Sequence, residues 1–148
     1  MSTATDLYQQ IILEHSRHPF HFGPLPDATH GFRADNPLCG DSFRVALRLA
    51  DGIILDAAFE GAGCAISKAS GSLMCSAIIG CSRKDFERML NDFQATVTGA
   101  DDAPPLETMG SLSAFSGLCR FPARIKCAML CWNAVRSALA PDPEDPAN

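Results

Sequence analysis

Two stretches of alternating hydrophobicity meet at Asp51-Gly52, and this feature limits the fold more strongly than any other in the sequence. From Ser42 to Leu49, the side chains of Phe43, Val45, Leu47 and Leu49 share one face, with Arg44 and Arg48 on the other. A period of two is that of a half-buried antiparallel strand. Asp-Gly is a strong hairpin-turn signal, so Ile53 to Glu60 reads as the returning strand, with Ile53, Leu55, Ala57 and Phe59 facing inward. The two open ends of a hairpin lie side by side. Whatever precedes Ser42 is therefore brought next to whatever follows Glu60.

Asn36-Pro-Leu-Cys-Gly-Asp41 precedes the hairpin and Gly61-Ala-Gly-Cys64 follows it. Cys39 and Asp41 are two apart, and in an extended segment that spacing points both side chains to the same side. Gly40 between them gives the backbone freedom to bring sulfur and oxygen to one point. A thiolate and a carboxylate are half of a tetrahedral metal site. Cys64 is a third candidate ligand, at the mouth of a helix expected from Ala65 to Gly80, where the N-terminal dipole favours a thiolate.

The remaining chain predicts helices around this hairpin. Leu7, Tyr8, Ile11, Ile12 and His15 recur at helical spacing after Thr5 and Asp6, and that helix ends at His18-Pro19. Glycines and prolines from Phe20 to Pro37 predict mostly irregular chain with a short strand around Gly31 to Ala34. Ser82 and Asp85 open a helix whose stripe of Phe86, Met89, Leu90, Phe93 and Val97 ends near Thr98. After a linker from Gly99 to Pro105, a short helix carries Leu106, Met109, Leu112 and Phe115 and is interrupted near Gly117. Pro122 sits in the first turn of a last helix, with Ile125, Met129, Trp132 and Arg136 on one face and Cys127 and Cys131 one turn apart on another. Residues 1–140 read as the folded domain, and the acidic, proline-rich residues 141–148 as a disordered tail.

A chain of 148 residues with a formal charge of −5 has length enough for a core and lacks the positive field that nucleic acid or an anionic membrane requires. Met1 to Asp6 has no basic region followed by an apolar core, and no apolar run is long enough to span a bilayer, so the expectation is a cytoplasmic protein. Seven cysteines in such a chain read as thiols for metal binding or chemistry.

Three motifs in order, Asn36-Pro-Leu-Cys-Gly-Asp41, Gly61-Ala-Gly-Cys-Ala-Ile-Ser67 and Arg124-Ile-Lys-Cys127, resemble the SufU/IscU family of iron-sulfur cluster assembly proteins, the NifU N-terminal domain fold. The likeness extends from Leu7 to Trp132. It implies an α+β fold in which a small antiparallel sheet of about three strands packs against helices. It also implies Cys39, Asp41, Cys64 and Cys127 as metal ligands, and zinc as the metal. Lys126 stands before Cys127 where IscU proteins carry His, and the long stretch from Gly99 to Gly117 is similar to an insertion of SufU proteins. A SufU-type protein accepts persulfide sulfur from a PLP-dependent, SufS-type cysteine desulfurase and passes it to the SUF scaffold. Cys39 is then the acceptor, released from the metal when the desulfurase offers a ligand of its own. The alternatives are a scaffold holding iron or a [2Fe-2S] cluster on the same ligands, and a zinc-stabilised module that activates the desulfurase without carrying sulfur.

Arg124 and Lys126 flank the third motif and suit an electrostatic or docking role, or a plain solvated one. Cys75, Cys81 and Cys119 fall outside the motifs and are expected to be structural. Cys131 is expected in the core, with pairing to Cys127 under oxidation as the alternative. His15, His18, His21 and His30 have irregular spacing and default to surface or capping roles.

Overall fold

The computed structural model describes residues 3–140, so the expected tail at 141–148 lies outside the described residues. In chain order the elements are helix α1 (Thr3–Arg17), strands β1 (His30–Asn36), β2 (Asp41–Ala50) and β3 (Ile53–Ala62), helices α2 (Ala65–Ile78) and α3 (Arg83–Thr98), 3₁₀ turns over Leu106–Thr108 and Gly110–Arg120, and helix α4 (Pro122–Leu139). The strands form one antiparallel sheet in the order β1-β2-β3. This is the α+β arrangement expected of the sequence. Helices α2 and α4 pack on the sheet, α1 lies on α2, and α3 lies on α4.

The central hairpin forms where the alternation places it, with Phe43, Val45 and Leu47 fully buried and Arg44 exposed. One detail of β3 differs. Its register against β2 shifts between Arg48 and Leu49, so that Leu49 pairs with Ile54 while Arg48 pairs with Asp56. Leu55 is the extra residue of this bulge and is 42 % exposed, whereas Ile54 takes the inward place. An inserted residue reverses the parity of every side chain beyond it.

The segment after α1 is less irregular than its composition suggests. β1 covers seven residues and pairs with β2 along its whole length. On the opposite edge, His21 and Gly23 exchange backbone hydrogen bonds with Phe59, and Cys81 accepts one from Ile54. These contacts occupy both ends of an otherwise open strand edge, which limits pairing with another chain. The aromatic ring of Phe22 also stands edge-on to Phe59, with centroids 5.1 Å apart.

Trp132 anchors the far side of the core. Its ring stacks on Phe93 at 4.6 Å and on Phe86 at 6.1 Å. Its indole N–H donates to Ser70 Oγ, whose hydroxyl donates in turn to the Ala128 carbonyl of α4. The small residues of α2 (Ala69, Ser70, Gly71, Ser72) are all buried, and a Cβ on Gly71 would lie 2.7 Å from the Phe59 ring. Small side chains thus let α2 approach β3 and α4 closely. Arg136, expected to share a face with Trp132, is exposed; α4 is enclosed over a broad arc that Arg136 falls outside.

His15 is half-buried and has a specific partner. Its Nδ1 lies 2.7 Å from Ser72 Oγ, and its ring stands edge-on to Phe20, tying α1 to α2. Burial lowers its pKa, against a smaller opposing pull from Glu14, so the imidazole favours the neutral form. The stretch Gly110–Arg120 runs as continuous 3₁₀ turns through Gly117. Among the described residues no helix is long and apolar enough to cross a membrane.

Candidate metal centre

Three chain segments meet at one end of the sheet. Asn36 pairs with Asp41 and Ser42 with Ala62, so the β1–β2 turn and the exit of β3 lie together. The Asn36–Asp41 motif is the tip of a second hairpin rather than an extended segment. The Asn36 carbonyl accepts from the N–H groups of Cys39 (3.1 Å) and Gly40 (2.9 Å), and the Asn36 side chain accepts from Leu38. Gly40 closes the turn at φ +73°, a left-handed conformation in which a Cβ is disfavoured. The result is an exposed Cys39 above a buried Asp41.

Asp41 is 1 % exposed. One of its oxygens accepts from the Cys64 backbone N–H at 2.8 Å, and the other lies 3.8 Å from Cys64 Sγ. Among the described residues no salt bridge involves Asp41. A buried carboxylate held only by a backbone amide and thiols is costly unless a cation joins it. Cys64 is the N-cap of α2, and its sulfur accepts from the Ser67 N–H at 3.5 Å, with Ser67 Oγ at the same distance. Both contacts fix the Cys64 sulfur at the mouth of α2.

Cys127 enters from the second turn of α4 and is buried. Its thiol donates toward Cys39 Sγ at 3.3 Å and toward the Ala123 carbonyl at 3.7 Å. The ligand atoms of Cys39, Asp41 and Cys127 all lie within 4.8 Å of one another. Cys64 falls outside that tight group of three but is hydrogen-bonded to Asp41. Burial, then hydrogen bonds with Cys39, Asp41 and Cys64, push the Cys127 thiol far above the ordinary thiol range. Among the described residues no Lys or Arg forms a salt bridge with this group, and the raised pKa keeps the Cys127 thiol protonated. Three sulfurs and one carboxylate are a donor set that zinc accepts in tetrahedral geometry, and a dication supplies the missing charge.

The flanking cations are less involved. Arg124 is exposed and turns over the Phe121 ring at 5.2 Å, and Lys126, two residues on, is also exposed. Cys75 and Cys131 are buried in the core, and Cys81 bonds to the Ala77 carbonyl, all in structural settings. Cys119, expected to be structural, is exposed at the end of the Gly110–Arg120 turns. Two residues with a part in the site were not singled out from sequence. Ser67 contacts Cys64, and a Cβ on Gly63 would lie 2.5 Å from Asp41 Oδ1 and 2.6 Å from the Phe43 ring. The Gly61-Ala-Gly-Cys64 run carries the only sequence signal for Gly63, since glycine in a strand exit marks close approach.

A three-stranded sheet backed by helices, with cysteines and an aspartate gathered at one end, defines a small α+β domain whose thiol-rich cluster could hold a metal ion. The sequence profile of the NifU-like N terminal domain matches residues 7–142, and the chain belongs to that family. It is 39 % identical to the zinc-dependent sulfurtransferase SufU of Bacillus subtilis, over 90 % of this chain and 90 % of the relative. It is 35 % identical to the iron-sulfur cluster assembly scaffold protein IscU of Streptococcus pyogenes, over 94 % of this chain and 86 % of the relative. Among solved structures, the N-terminal part of a nitrogen-fixing NifU-like protein from Brucella abortus superposes with a TM-score of 0.80 at 25 % identity, covering 93 % of this chain and 95 % of that one.

Proposed function

We propose that this protein serves iron-sulfur cluster assembly by taking persulfide sulfur from a PLP-dependent, SufS-type cysteine desulfurase onto Cys39 and relaying it to the SUF scaffold. The observation that carries this reading is the pairing of an exposed Cys39 with a buried Asp41 and Cys127, their ligand atoms all within 4.8 Å. Cys39, Asp41, Cys64 and Cys127 would hold zinc, which when bound keeps the thiols deprotonated and balances the carboxylate. The name of the B. subtilis relative supports zinc and sulfur transfer together.

The chain's own part in the transfer follows from placement. Cys39 stands on an exposed hairpin tip, so a donor sulfur reaches it without opening the core. Its thiolate attacks the outer sulfur of the donor persulfide; a new S–S bond forms on Cys39 and the donor cysteine leaves as thiolate. Asp41 and Cys127 lie beneath and fix where the Cys39 sulfur rests. Arg124 and Lys126, exposed at the mouth of α4, offer positive charge for docking.

A second reading, a scaffold that assembles a [2Fe-2S] cluster as cargo on the same residues, is favoured by the name of the S. pyogenes relative. Metal analysis of aerobically purified protein separates the two. The relay reading expects zinc near one per chain for a four-donor site. Red-brown protein carrying iron and acid-labile sulfide overturns it in favour of the scaffold. A desulfurase-activating module is separated by sulfur loading: stimulated desulfurase with no sulfur on Cys39 favours the module.

A further inference from the structure

The contact between Cys39 and Cys127 has a consequence for the sulfur once it has been accepted. In a Cys39 persulfide the inner sulfur is Cys39 Sγ itself, the atom already 3.3 Å from Cys127 Sγ. The outer sulfur extends from an exposed side chain, so it has room on the solvent side. Cys127 is buried and approaches from beneath. Among the described residues it is the thiol that hydrogen-bonds to Cys39; Cys64 is engaged with Ser67 and Asp41, and Cys131 lies in the core.

The geometry points to Cys127 as a resolving thiol, which converts a Cys39 persulfide into free hydrosulfide plus a Cys39–Cys127 disulfide. This inference rests on the proposal that Cys39 accepts sulfur. The step balances within the chain. Cys127 sulfur attacks Cys39 Sγ; the bond between Sγ and the outer sulfur breaks as the Sγ–Sγ bond forms. The proton of Cys127 goes to the departing sulfur, which leaves as hydrosulfide. That sulfur is reduced to the sulfide level, and the two cysteines are oxidised to a disulfide that a dithiol reductant then reopens. A Cys127 engaged as a metal ligand is not free to attack, so the reaction belongs to the metal-free chain. The protein would thus have two outlets for sulfur: a persulfide handed to an acceptor, or sulfide released at the expense of the Cys39 and Cys127 thiols, which a dithiol then restores.

The test uses full-length chain dialysed against chelator, with metal content and circular dichroism verified. It is loaded with glutathione persulfide, freed of small thiols by desalting, and incubated without reductant. Sulfide is followed colorimetrically, and non-reducing peptide mass spectrometry maps the disulfide. The expected result is sulfide released in step with a Cys39–Cys127 disulfide. In Cys127→Ser the Cys39 persulfide should decay at least about tenfold more slowly, and Cys131→Ser should behave as wild type. The inference is overturned if the wild-type persulfide lasts as long as that of Cys127→Ser, or if Cys39 is found joined to Cys64 or Cys131. The wild-type map alone decides the partner, even where a variant folds poorly. If Cys127→Ser loads and wild type does not release, only the resolving role falls. If neither chain takes sulfur at Cys39, the acceptor proposal falls and the resolving role with it.

Discussion

Asp41 concentrates the physical argument, because it is a buried carboxylate that makes no salt bridge among the described residues, and such a group is expensive to keep. Its surroundings tolerate little added volume. A Cβ at position 63 would meet Asp41 Oδ1 at 2.5 Å and the Phe43 ring at 2.6 Å, and both neighbours belong to a close-packed strand. Gly63→Ala should therefore cost about 1–3 kcal/mol of stability through overpacking. Under the proposed zinc site, it should also hold less zinc, since the carboxylate must shift to make room. Urea unfolding together with metal analysis checks both; a variant with wild-type midpoint and wild-type zinc would show that Asp41 does not fix the site. The sequence pointed to Cys39, Asp41 and Cys64 because a hairpin must bring its two ends together, and the structure places them there. The assumed extended geometry was wrong in detail: a four-residue turn and the left-handed Gly40 achieve the convergence. Ser67 stands in the second motif without a role, because a serine within a helix start gives no signal of its target, and His15 reads as a surface residue because its partner Ser72 is far along the chain.

Strand β3 shows how far alternation reaches and where it stops. The Asp51-Gly52 turn and the inward Phe59 and Ala57 follow from the pattern, but the bulge opposite Arg48 and Leu49 does not. Ile53-Ile54-Leu55 is apolar at every position, so periodicity alone cannot say which residue faces in. The structure gives a sharp contrast. Ile54→Ala removes a fully buried side chain and should cost about 2–5 kcal/mol. Leu55→Ala, at an exposed position, should stay within about 0.5 kcal/mol. Chemical denaturation of the two variants side by side tests this, and equal losses would restore the simple alternation. The 3₁₀ course of Gly110–Arg120 was likewise illegible, because Gly117 reads as a breaker although 3₁₀ turns accommodate it.

The whole molecule buries two thiols that take no part in the proposed chemistry. Burial, with the charges of Cys131 and Asp56 adding, holds Cys75 well above the ordinary thiol range. Burial and then the charge of Asp41 push Cys131 up to about 12. In the unfolded chain such thiols ionise near pH 8.5. Above that pH the unfolded state has shed protons that the fold retains, so this contribution is complete below about pH 8.5 and is lost as pH rises toward about 12. The urea midpoint should fall steadily across that range, and the Cys75→Ala, Cys131→Ala double variant should show a shallower decline. Equal slopes would mean that other groups govern the alkaline limit.

The central claim, that Cys39 receives the sulfur, is tested most directly by peptide mass spectrometry of the chain after incubation with a cysteine desulfurase and cysteine, quenched by alkylation. The account predicts one added sulfur on the peptide carrying Cys39, absent from Cys39→Ser at every time point. Sulfur accumulating on Cys39→Ser at the wild-type rate would contradict it.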